Sequence, residues 1–176
     1  MFRLDHFVLP KGFRGRNGLV VQIWRTTYFL FYRPSPQFLY GWRRFLLRLF
    51  SAKIGKNVIL RPTSQITYPW KLEIGDHSWI GDEVVLYNLG QITIGANTII
   101  SQRSYLCTGS HDYNSVEFDI YEKPIVVGDS CWLATDVFVA PGVTILDEVV
   151  VGARSSVFKN ILIKGVYKGN PVQIHS

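Results

Sequence analysis

The amino-acid sequence predicts an all-β protein, a parallel β-helix in which short strands wind into stacked triangular coils. The pair Ile-Gly recurs every 20 residues, at Ile54-Gly55, Ile74-Gly75 and Ile94-Gly95. Aliphatic residues are otherwise spaced by six, which fits neither the 3.6-residue period of a helix nor the two-residue period of an exposed strand. Three hexads wound into a turn of about 18 residues would point every such side chain into the coil. The aliphatic positions are Ile54, Leu60, Ile66 and Leu72, then Ile74, Ile80, Leu86 and Ile92, then Ile94, Ile100 and Leu106, and finally Val127, Leu133, Val139, Ile145, Val151, Val157 and Ile163.

Two further positions of the hexad are also restricted in size. The fifth residue of each hexad, four places after the aliphatic, is usually small or β-branched. The second residue, directly after the aliphatic, is often Gly or Ala. We expect the Gly and Ala residues at the corners, where a turn leaves little room for a side chain. The repeat predicts about five coils and a partial sixth. The glycines and alanines are Gly55, Gly75, Gly81, Gly95, Gly128, Ala134, Ala140 and Gly152, and the small residues include Val58, Ser64, Ser78, Thr98, Ser104, Cys131 and Ser155.

The repeat divides the chain into an N-terminal helical arm at residues 1–53 and a β-helix domain at residues 54–176. Asn17 is expected to begin one helix that ends before Pro34. Ser35-Pro36 suggests an N-cap followed by proline at the first position of a second, amphipathic helix. The arm has two interpretations that are compatible with each other. The arm could cap the open end of the solenoid. Its residues 17–50 could also make a peripheral contact with a membrane.

Composition restricts the setting of the protein. The net charge of +6 is compatible with binding to nucleic acid, an anionic membrane or a phosphorylated ligand. Because no nucleic-acid recognition motif is present, we expect no nucleic-acid partner. Cys107 and Cys131 have neither the number nor the spacing of a disulfide framework or a metal site. The first residues do not resemble a secretion signal, and the apolar run 19–32 is too short to span a bilayer. We therefore expect a cytoplasmic protein, at the inner face of the membrane if the arm binds lipid.

One segment interrupts the hexads and contains the strongest candidate for chemistry. Residues 109–124 are polar and aromatic and read as a loop extruded from the third coil. His111 lies at its entrance, where a neutral imidazole could accept a proton from a hydroxyl. His77, at the fourth position of a hexad, is expected on the surface. No Gly-x-Ser-x-Gly motif is present, and Cys107 has no cationic neighbour in the sequence that would activate its thiol.

Several motifs together resemble the sugar O-acetyltransferases of the hexapeptide-repeat family, whose fold is a left-handed parallel β-helix. The resemblance covers residues 54–173. Two more segments, 49–55 and 68–75, are similar to acetyltransferases of colanic acid and other exopolysaccharide biosynthesis. The motifs are Leu106-Cys107-Thr108-Gly109-Ser110-His111-Asp112-Tyr113, Pro124-Ile125-Val126-Val127-Gly128-Asp129-Ser130-Cys131-Trp132-Leu133-Ala134, Ala140-Pro141-Gly142-Val143, Val151-Gly152-Ala153 and Gly169-Asn170-Pro171.

The resemblance implies a homotrimer with active sites between neighbouring chains, acetyl-CoA as co-substrate and His111 as general base. The loop histidine would act on a sugar or glycan hydroxyl by direct transfer, without a metal. For Asn88 two interpretations remain open, because it could bind a sugar hydroxyl or only stabilise a turn; Asp112 is a second candidate for the acceptor site. The positions that match acetyl-CoA contacts are Trp132, Ala134, Thr135, Gly152, Ala153 and Lys159. The C-terminal segment departs from the family pattern, which leaves the adenine contacts unassigned.

Other functions fit the same solenoid less well. A zinc carbonic anhydrase needs three histidines around the metal, but no histidine lies between residues 112 and 174. A non-catalytic scaffold would not require a histidine in the loop. Within the transferases, an antibiotic or an amino sugar remains an alternative acceptor.

Overall fold

The computed structural model describes residues 2–175 and contains a parallel β-helix with three faces, here called A, B and C. The chain passes from face A to B to C in every coil, so the three corners are AB, BC and CA. Face A contains β1 (Lys53–Ile54), β4 (Leu72–Ile74), β7 (Ile92–Ile94), β12 (Ile125–Val127) and β15 (Thr144–Ile145). Face B contains β2 (Ile59–Leu60), β5 (Trp79–Ile80), β8 (Ile99–Ile100), β13 (Trp132–Leu133), β16 (Val149–Val151) and β18 (Gly165–Lys168). Face C contains β3 (Gln65–Ile66), β6 (Val85–Tyr87), β9 (Tyr105–Cys107), β14 (Phe138–Val139) and β17 (Ser156–Val157).

Strands on one face pair in parallel with the repeat in register. Ile54 pairs with Ile74, Ile74 with Ile94, and Ile94 with Val127. Five coils and a partial sixth therefore stack along the axis, as the six-residue period predicted. Three strands depart from this pattern. β10 (Gly109–His111) and β11 (Ile120–Glu122) form an antiparallel hairpin, and β19 (Gln173–His175) runs antiparallel to β18.

The aliphatic rows form the core, and the prediction fails at one place. Residues of the rows from Ile54 to Val157 are buried. After Val157 the register slips by two residues, because Ile161 fills the inward position and pairs with Ile145. Ile163, which we placed in the core, is 66% exposed. The seventh hexad of the second half is therefore irregular, since the last corner is two residues shorter than the pattern requires.

A second buried row contains hydroxyl groups that bond from coil to coil. The Ser78 hydroxyl donates to the carbonyl of Gly95 and accepts from the amide of Thr98. Thr98 repeats this one coil later, with the carbonyl of Gly128 and the amide of Cys131. Each buried hydroxyl thus satisfies the backbone of the next corner, which is why small polar residues are tolerated inside the solenoid.

The corners contain the small residues that we predicted, together with a left-handed residue that we did not predict. The left-handed residue is the fourth of the hexad, with φ of 53° at Asn57, 61° at His77 and 55° at Asn97. The glycine at the second position meets another requirement. A Cβ on Gly75 would lie 2.5 Å from the amide nitrogen of Ala96 in the next coil. His77 is exposed on the surface, as expected.

Two helices cover the first coil. α1 (Gly18–Thr27) continues into a π-helical turn (Tyr28–Tyr32), and α2 (Tyr40–Leu49) follows; short 3-10 turns occur at Leu4–His6 and Pro69–Lys71. Asn17 caps α1 as predicted, by accepting from the amide of Val20 at 3.0 Å. The predicted cap at Ser35 is wrong. Its hydroxyl donates to the carbonyl of Tyr32 and accepts from Arg43, and α2 begins five residues later.

Side chains from these helices satisfy the open edge of the first coil. Arg48 donates to the carbonyl of Ile54 on face A, Arg43 to that of Leu60 on face B, and Trp24 to that of Ile66 on face C. These carbonyls would otherwise have no preceding coil to pair with. The helices and the solenoid also share one hydrophobic core, which includes Trp24, Tyr32, Leu46 and Leu47.

Candidate active site

The segment predicted as a loop at residues 109–124 is a β-hairpin that leaves the solenoid at the CA corner. Gly109 pairs with Glu122 and His111 with Ile120. The base of the hairpin is fixed to the coil beneath it. Thr108 accepts from the amide of Gly90 at 2.8 Å, and the carboxylate of Glu122 lies 3.7 Å from the ammonium of Lys71.

His111 is half-buried near the outer end of the hairpin. Its Nδ1 lies 2.8 Å from the carbonyl oxygen of Phe118, and the two rings stack with centroids 4.2 Å apart and planes 8° apart. A carbonyl oxygen only accepts, so Nδ1 must carry the proton. In the neutral ring this leaves the lone pair on Nε2. The hairpin thus selects the tautomer that a general base requires.

The first residues of the chain pack against this histidine. The ring of Phe7 lies 5.7 Å from that of His111, and the ring of Phe2 lies 4.4 Å from that of Phe118. The amide of Arg3 donates to the carbonyl of Val116 at 2.8 Å. Sequence reasoning missed this contact, because nothing in the spacing of residues 2–16 relates them to a hairpin a hundred residues later.

The two candidate residues for the acceptor site differ in what they offer. Asp112 is exposed beside His111, and one carboxylate oxygen accepts from the amide of Asn114 at 2.9 Å. Asn88 has no accessible surface. Its amide oxygen accepts from the backbone of Thr67 and Tyr68, and its amide nitrogen donates to the carbonyls of Tyr68 and Lys71. Asn88 therefore has the turn-stabilising role, the second of the two interpretations, and no group left for a sugar.

Trp132 lies on the outer surface of face B. Its side chain is 48% exposed, and its indole nitrogen donates to the hydroxyl of Ser101 at 3.0 Å. It borders a cavity of about 290 Å³ whose other walls include Trp79, Ile99 and Arg61. An exposed aromatic side chain at the border of a groove is suited to contact an extended ligand chain.

Four of the remaining candidates line the BC corner next to Trp132. Ala134 and Thr135 form this corner in one coil, and Gly152 and Ala153 in the next. The amides of Ala134 and Gly152 are already used, because they donate to Val151 and Tyr167 of the adjacent coil. The side chains at these positions are small, so a ligand could approach the backbone closely. Lys159 is exposed at the CA corner, after β17.

The predicted site residues therefore divide between two edges of the solenoid. His111 and Asp112 lie on the CA hairpin, whereas Trp132 and the four small residues lie on face B and the BC corner. One face separates these corners, a distance on the order of 15–20 Å at the rise of a β-strand. Within one chain, the base and the small-residue corner do not meet.

Both thiols have little nucleophilic character. Burial raises the pKa of Cys107, which donates to the carbonyl of Gly109 at 3.1 Å, and it also raises the pKa of Cys131. Among residues 2–175 no group of three His, Cys, Asp or Glu side chains is arranged to hold a metal ion. In the same part of the chain, none of the helices has both the length and the apolar character needed to cross a bilayer.

Comparisons of sequence and of structure identify relatives of this chain. A scan of protein-family models found no match. The chain is 61% identical over 171 residues to Escherichia coli WcaF, a protein assigned as a colanic acid biosynthesis acetyltransferase, covering 97% of this chain and 94% of WcaF. The fold of the present chain is similar to that of a galactoside acetyltransferase in complex with coenzyme A. The TM-score is 0.82 at 24% identity, over 96% of this chain and 83% of the other.

A second solved structure has the same fold. The hexapeptide-repeat acetyltransferase VCA0836 of Vibrio cholerae, complexed with acetyl coenzyme A, gives a TM-score of 0.78 at 24% identity, over 93% of this chain and 86% of the other. These structures extend the fold assignment to the handedness, which is that of the left-handed β-helix acetyltransferases. The coil repeat, the hairpin histidine and the identity to WcaF over almost its whole length lead to one assignment: the chain belongs to the hexapeptide-repeat acetyltransferases, together with WcaF.

Proposed function

We propose that this protein transfers the acetyl group of acetyl-CoA to a sugar hydroxyl, on an exopolysaccharide or a lipid-linked glycan precursor, with His111 as general base. The observation that carries the proposal is the contact between Nδ1 of His111 and the carbonyl of Phe118. In the neutral imidazole this contact leaves the lone pair on Nε2, which can accept a proton. The assigned role of WcaF in colanic acid biosynthesis supports the choice of a glycan as acceptor.

The mechanism is a direct transfer. Nε2 of His111 removes the proton of the acceptor hydroxyl as its oxygen attacks the thioester carbonyl carbon. The carbon–sulfur bond then breaks, and the imidazolium returns its proton to the departing thiolate of CoA. Because the thioester is already activated, no covalent acyl-enzyme is needed, which agrees with the raised pKa of the Cys107 thiol.

Acetyl-CoA is proposed to lie along the BC corner of the solenoid. Trp132 would contact the thioester end, and the small residues Ala134, Thr135, Gly152 and Ala153 would let the pantetheine arm approach the backbone. Lys159 lies at the CA corner, so it would bind a phosphate of the nucleotide from the neighbouring chain. Asp112, exposed beside His111, would accept a hydrogen bond from the sugar.

We further propose that the active enzyme is a homotrimer. His111 and the small-residue corner lie on different edges of one chain, so a complete site requires the CA edge of one chain beside the BC edge of its neighbour. Three such contacts around a threefold axis would close the assembly and give three equivalent sites. The proposed location is the cytoplasm, at the inner face of the membrane where lipid-linked glycans are assembled.

The test is acceptor-dependent release of CoA from acetyl-CoA, measured for the wild-type protein and for His111→Ala. The acceptors are a panel of glycan precursors, free sugars, amino sugars and aminoglycoside antibiotics. Release with a glycan that is lost in the variant supports the proposal. If amine acceptors are preferred, the acceptor group is an amino group and not a sugar hydroxyl. If calorimetry detects no binding of CoA, the proposed transferase activity is rejected.

A further inference from the structure

The second helix of the arm is apolar on two sides. One side packs on the first coil through Leu46 and Leu47, which are buried. Phe38, in the turn just before the helix, is followed on the other side by Trp42, Phe45 and Leu49, which are spaced three and four residues apart and are therefore aligned along the helix. These four side chains, here called the outer stripe, are exposed by 76%, 39%, 53% and 65%. The protein core accounts for the first side but not for the second.

The outer stripe continues into the π-helical turn that precedes it. The indole nitrogen of Trp42 donates to the carbonyl of Phe31 at 2.9 Å, and the ring of Trp42 stacks on Phe45 with centroids 5.8 Å apart. Phe29, Leu30 and Phe31 are all more than half exposed. The bond to Phe31 holds the outer stripe beside the π-helical turn, whose exposed side chains add to the apolar surface of the arm.

The charge of the chain is distributed very unevenly around this surface. Residues 6–72 contain 12 lysines and arginines and neither Asp nor Glu. The whole chain has 19 basic and 13 acidic residues, so all 13 acids and only 7 bases lie elsewhere. The segment of the chain that contains the outer stripe is therefore strongly positive, whereas the rest of the chain has a net negative charge.

Few of these positive charges are neutralised within the protein. Among the described residues, carboxylate partners of this segment are found only at Lys53, Arg61 and Lys71. Arg43, Arg44 and Arg48 donate to backbone carbonyls, which leaves their charge uncompensated. Arg25 and Arg33 are exposed and flank the π-helical turn.

We propose that the outer stripe is a docking surface for a membrane that contains anionic lipids. Exposed Phe, Trp and Leu side chains, in a segment that contains arginines but neither Asp nor Glu, are suited to the boundary between headgroups and acyl chains. The positive charge of this segment adds attraction to an anionic surface. The dock lies at the first coil, and the His111 hairpin leaves the third coil, so a bound membrane would cover the cap and leave the hairpin accessible from the side.

The proposal is tested by sedimentation of the full chain with vesicles. One set contains phosphatidylcholine with phosphatidylglycerol, and the other contains phosphatidylcholine alone. The wild-type protein is expected to bind only the first set, and less strongly as salt is added. The double variant Trp42→Ser/Phe45→Ser is expected to lose roughly tenfold or more in partitioning. Arg25→Gln/Arg33→Gln should weaken binding to the anionic vesicles alone.

A matched control removes apolar surface elsewhere. Leu162→Ser/Ile163→Ser deletes two side chains that are 58% and 66% exposed at the opposite end of the solenoid, and it should bind vesicles like the wild type. Equal loss in this control, or no preference of the wild type for anionic vesicles, overturns the proposal. A lower assembly mass for Trp42→Ser/Phe45→Ser than for the wild type, measured by analytical ultracentrifugation, also overturns the proposal. The outer stripe would then be a contact between copies of the chain. Vesicle binding needs no acetyl-CoA, so its failure would leave the proposed reaction intact.

Discussion

The Nδ1 atom of His111 and the carbonyl oxygen of Phe118 lie 2.8 Å apart, and the rings of the same two residues stack almost parallel. Phe118 therefore fixes both the tautomer and the plane of the imidazole from within one hairpin. Many catalytic histidines use a carboxylate for this purpose, which also stabilises the imidazolium. The Phe118 carbonyl orients the ring without placing a negative charge beside it.

Replacing His111 by alanine should abolish acetyl transfer while leaving the nucleotide site intact. We expect kcat/KM to fall by a factor of about 10² to 10⁴, the usual contribution of a positioned general base. The measurement is CoA release, with calorimetry of CoA binding as the control. Full activity of the variant would remove His111 from the mechanism, and loss of CoA binding would assign it a structural role instead.

The contact of Phe7 with His111 predicts that the start of the chain positions the base. Phe7→Ala should lower kcat roughly tenfold to a hundredfold, because a small displacement of a catalytic group is costly. The KM for acetyl-CoA and the thermal unfolding midpoint should not change, and Phe7→Tyr should restore most of the rate. Leu4→Ala is the control, since that side chain is 66% exposed in the same segment. An equal loss in Leu4→Ala would contradict a specific role for Phe7.

Trp132 and Trp79 lie in one row on face B and allow a paired test of the acetyl-CoA site. Each pairs with Ile99 of the intervening coil, and their exposed fractions are similar. Trp132→Ala should raise the Kd for CoA roughly tenfold, the loss expected for one aromatic contact. Trp79→Ala should raise it much less. Calorimetry measures both values, and the reverse order would move the thioester end toward the first coils.

Arg43 predicts a large effect on stability. The side chain is fully buried, and burial lowers the pKa of its guanidinium. It donates to the carbonyls of Leu60, Pro36 and Gln37. Arg43→Met should lower the free energy of unfolding by about 2–4 kcal/mol, because buried carbonyls lose their donors. Arg25→Met, at an exposed position, should change it by less than about 0.5 kcal/mol. Urea unfolding followed by circular dichroism compares the two variants.

The spacing between coils predicts opposite outcomes for two glycines. A Cβ on Gly75 would meet backbone atoms of Gly95 and Ala96 at 2.5 to 2.9 Å, whereas one on Gly18, in the first turn of α1, would meet nothing within 4 Å. Gly75→Ala should therefore destabilise the fold by about 1–3 kcal/mol. Gly18→Ala should be neutral or stabilise it by up to about 1 kcal/mol. Thermal unfolding distinguishes the two, and equal midpoints would contradict the close packing of the coils.

The parts of the fold that could be predicted are those repeated in residue type. The rows from Ile54 to Val157 follow the six-residue period apart from the two-residue steps at Leu72–Ile74 and Ile92–Ile94 and the interruption before Val127, because aliphatic side chains fill the middle of each face. The slip at Ile161 could not be read in the same way, since Ile161 and Ile163 are equally apolar and the choice depends on the length of the last corner. Ser35 failed as a cap for a related reason: its hydroxyl bonds Tyr32 and Arg43 instead, and the contact with Arg43 depends on how the second helix packs.

The candidate site shows the same limit. His111 could be singled out because a histidine at the entrance to an interruption is a visible signal. Its partner could not, because a backbone carbonyl has no residue type, and Phe118 reaches it only through the fold of the hairpin. Asn88 had two readings in the sequence, and only the number of its hydrogen bonds distinguishes them.

The arginine contacts at the first coil also determine how long this solenoid can become. A stack of equivalent coils has the geometry of a fibril, since each exposed edge offers the hydrogen bonds that another coil would use. Arg43, Arg44 and Arg48 occupy carbonyls at one end, and the reversed direction of β19 changes the bonding pattern at the other. At the first coil, another coil could pair only if it displaced these arginines, so the capped end disfavours growth of the stack along its axis.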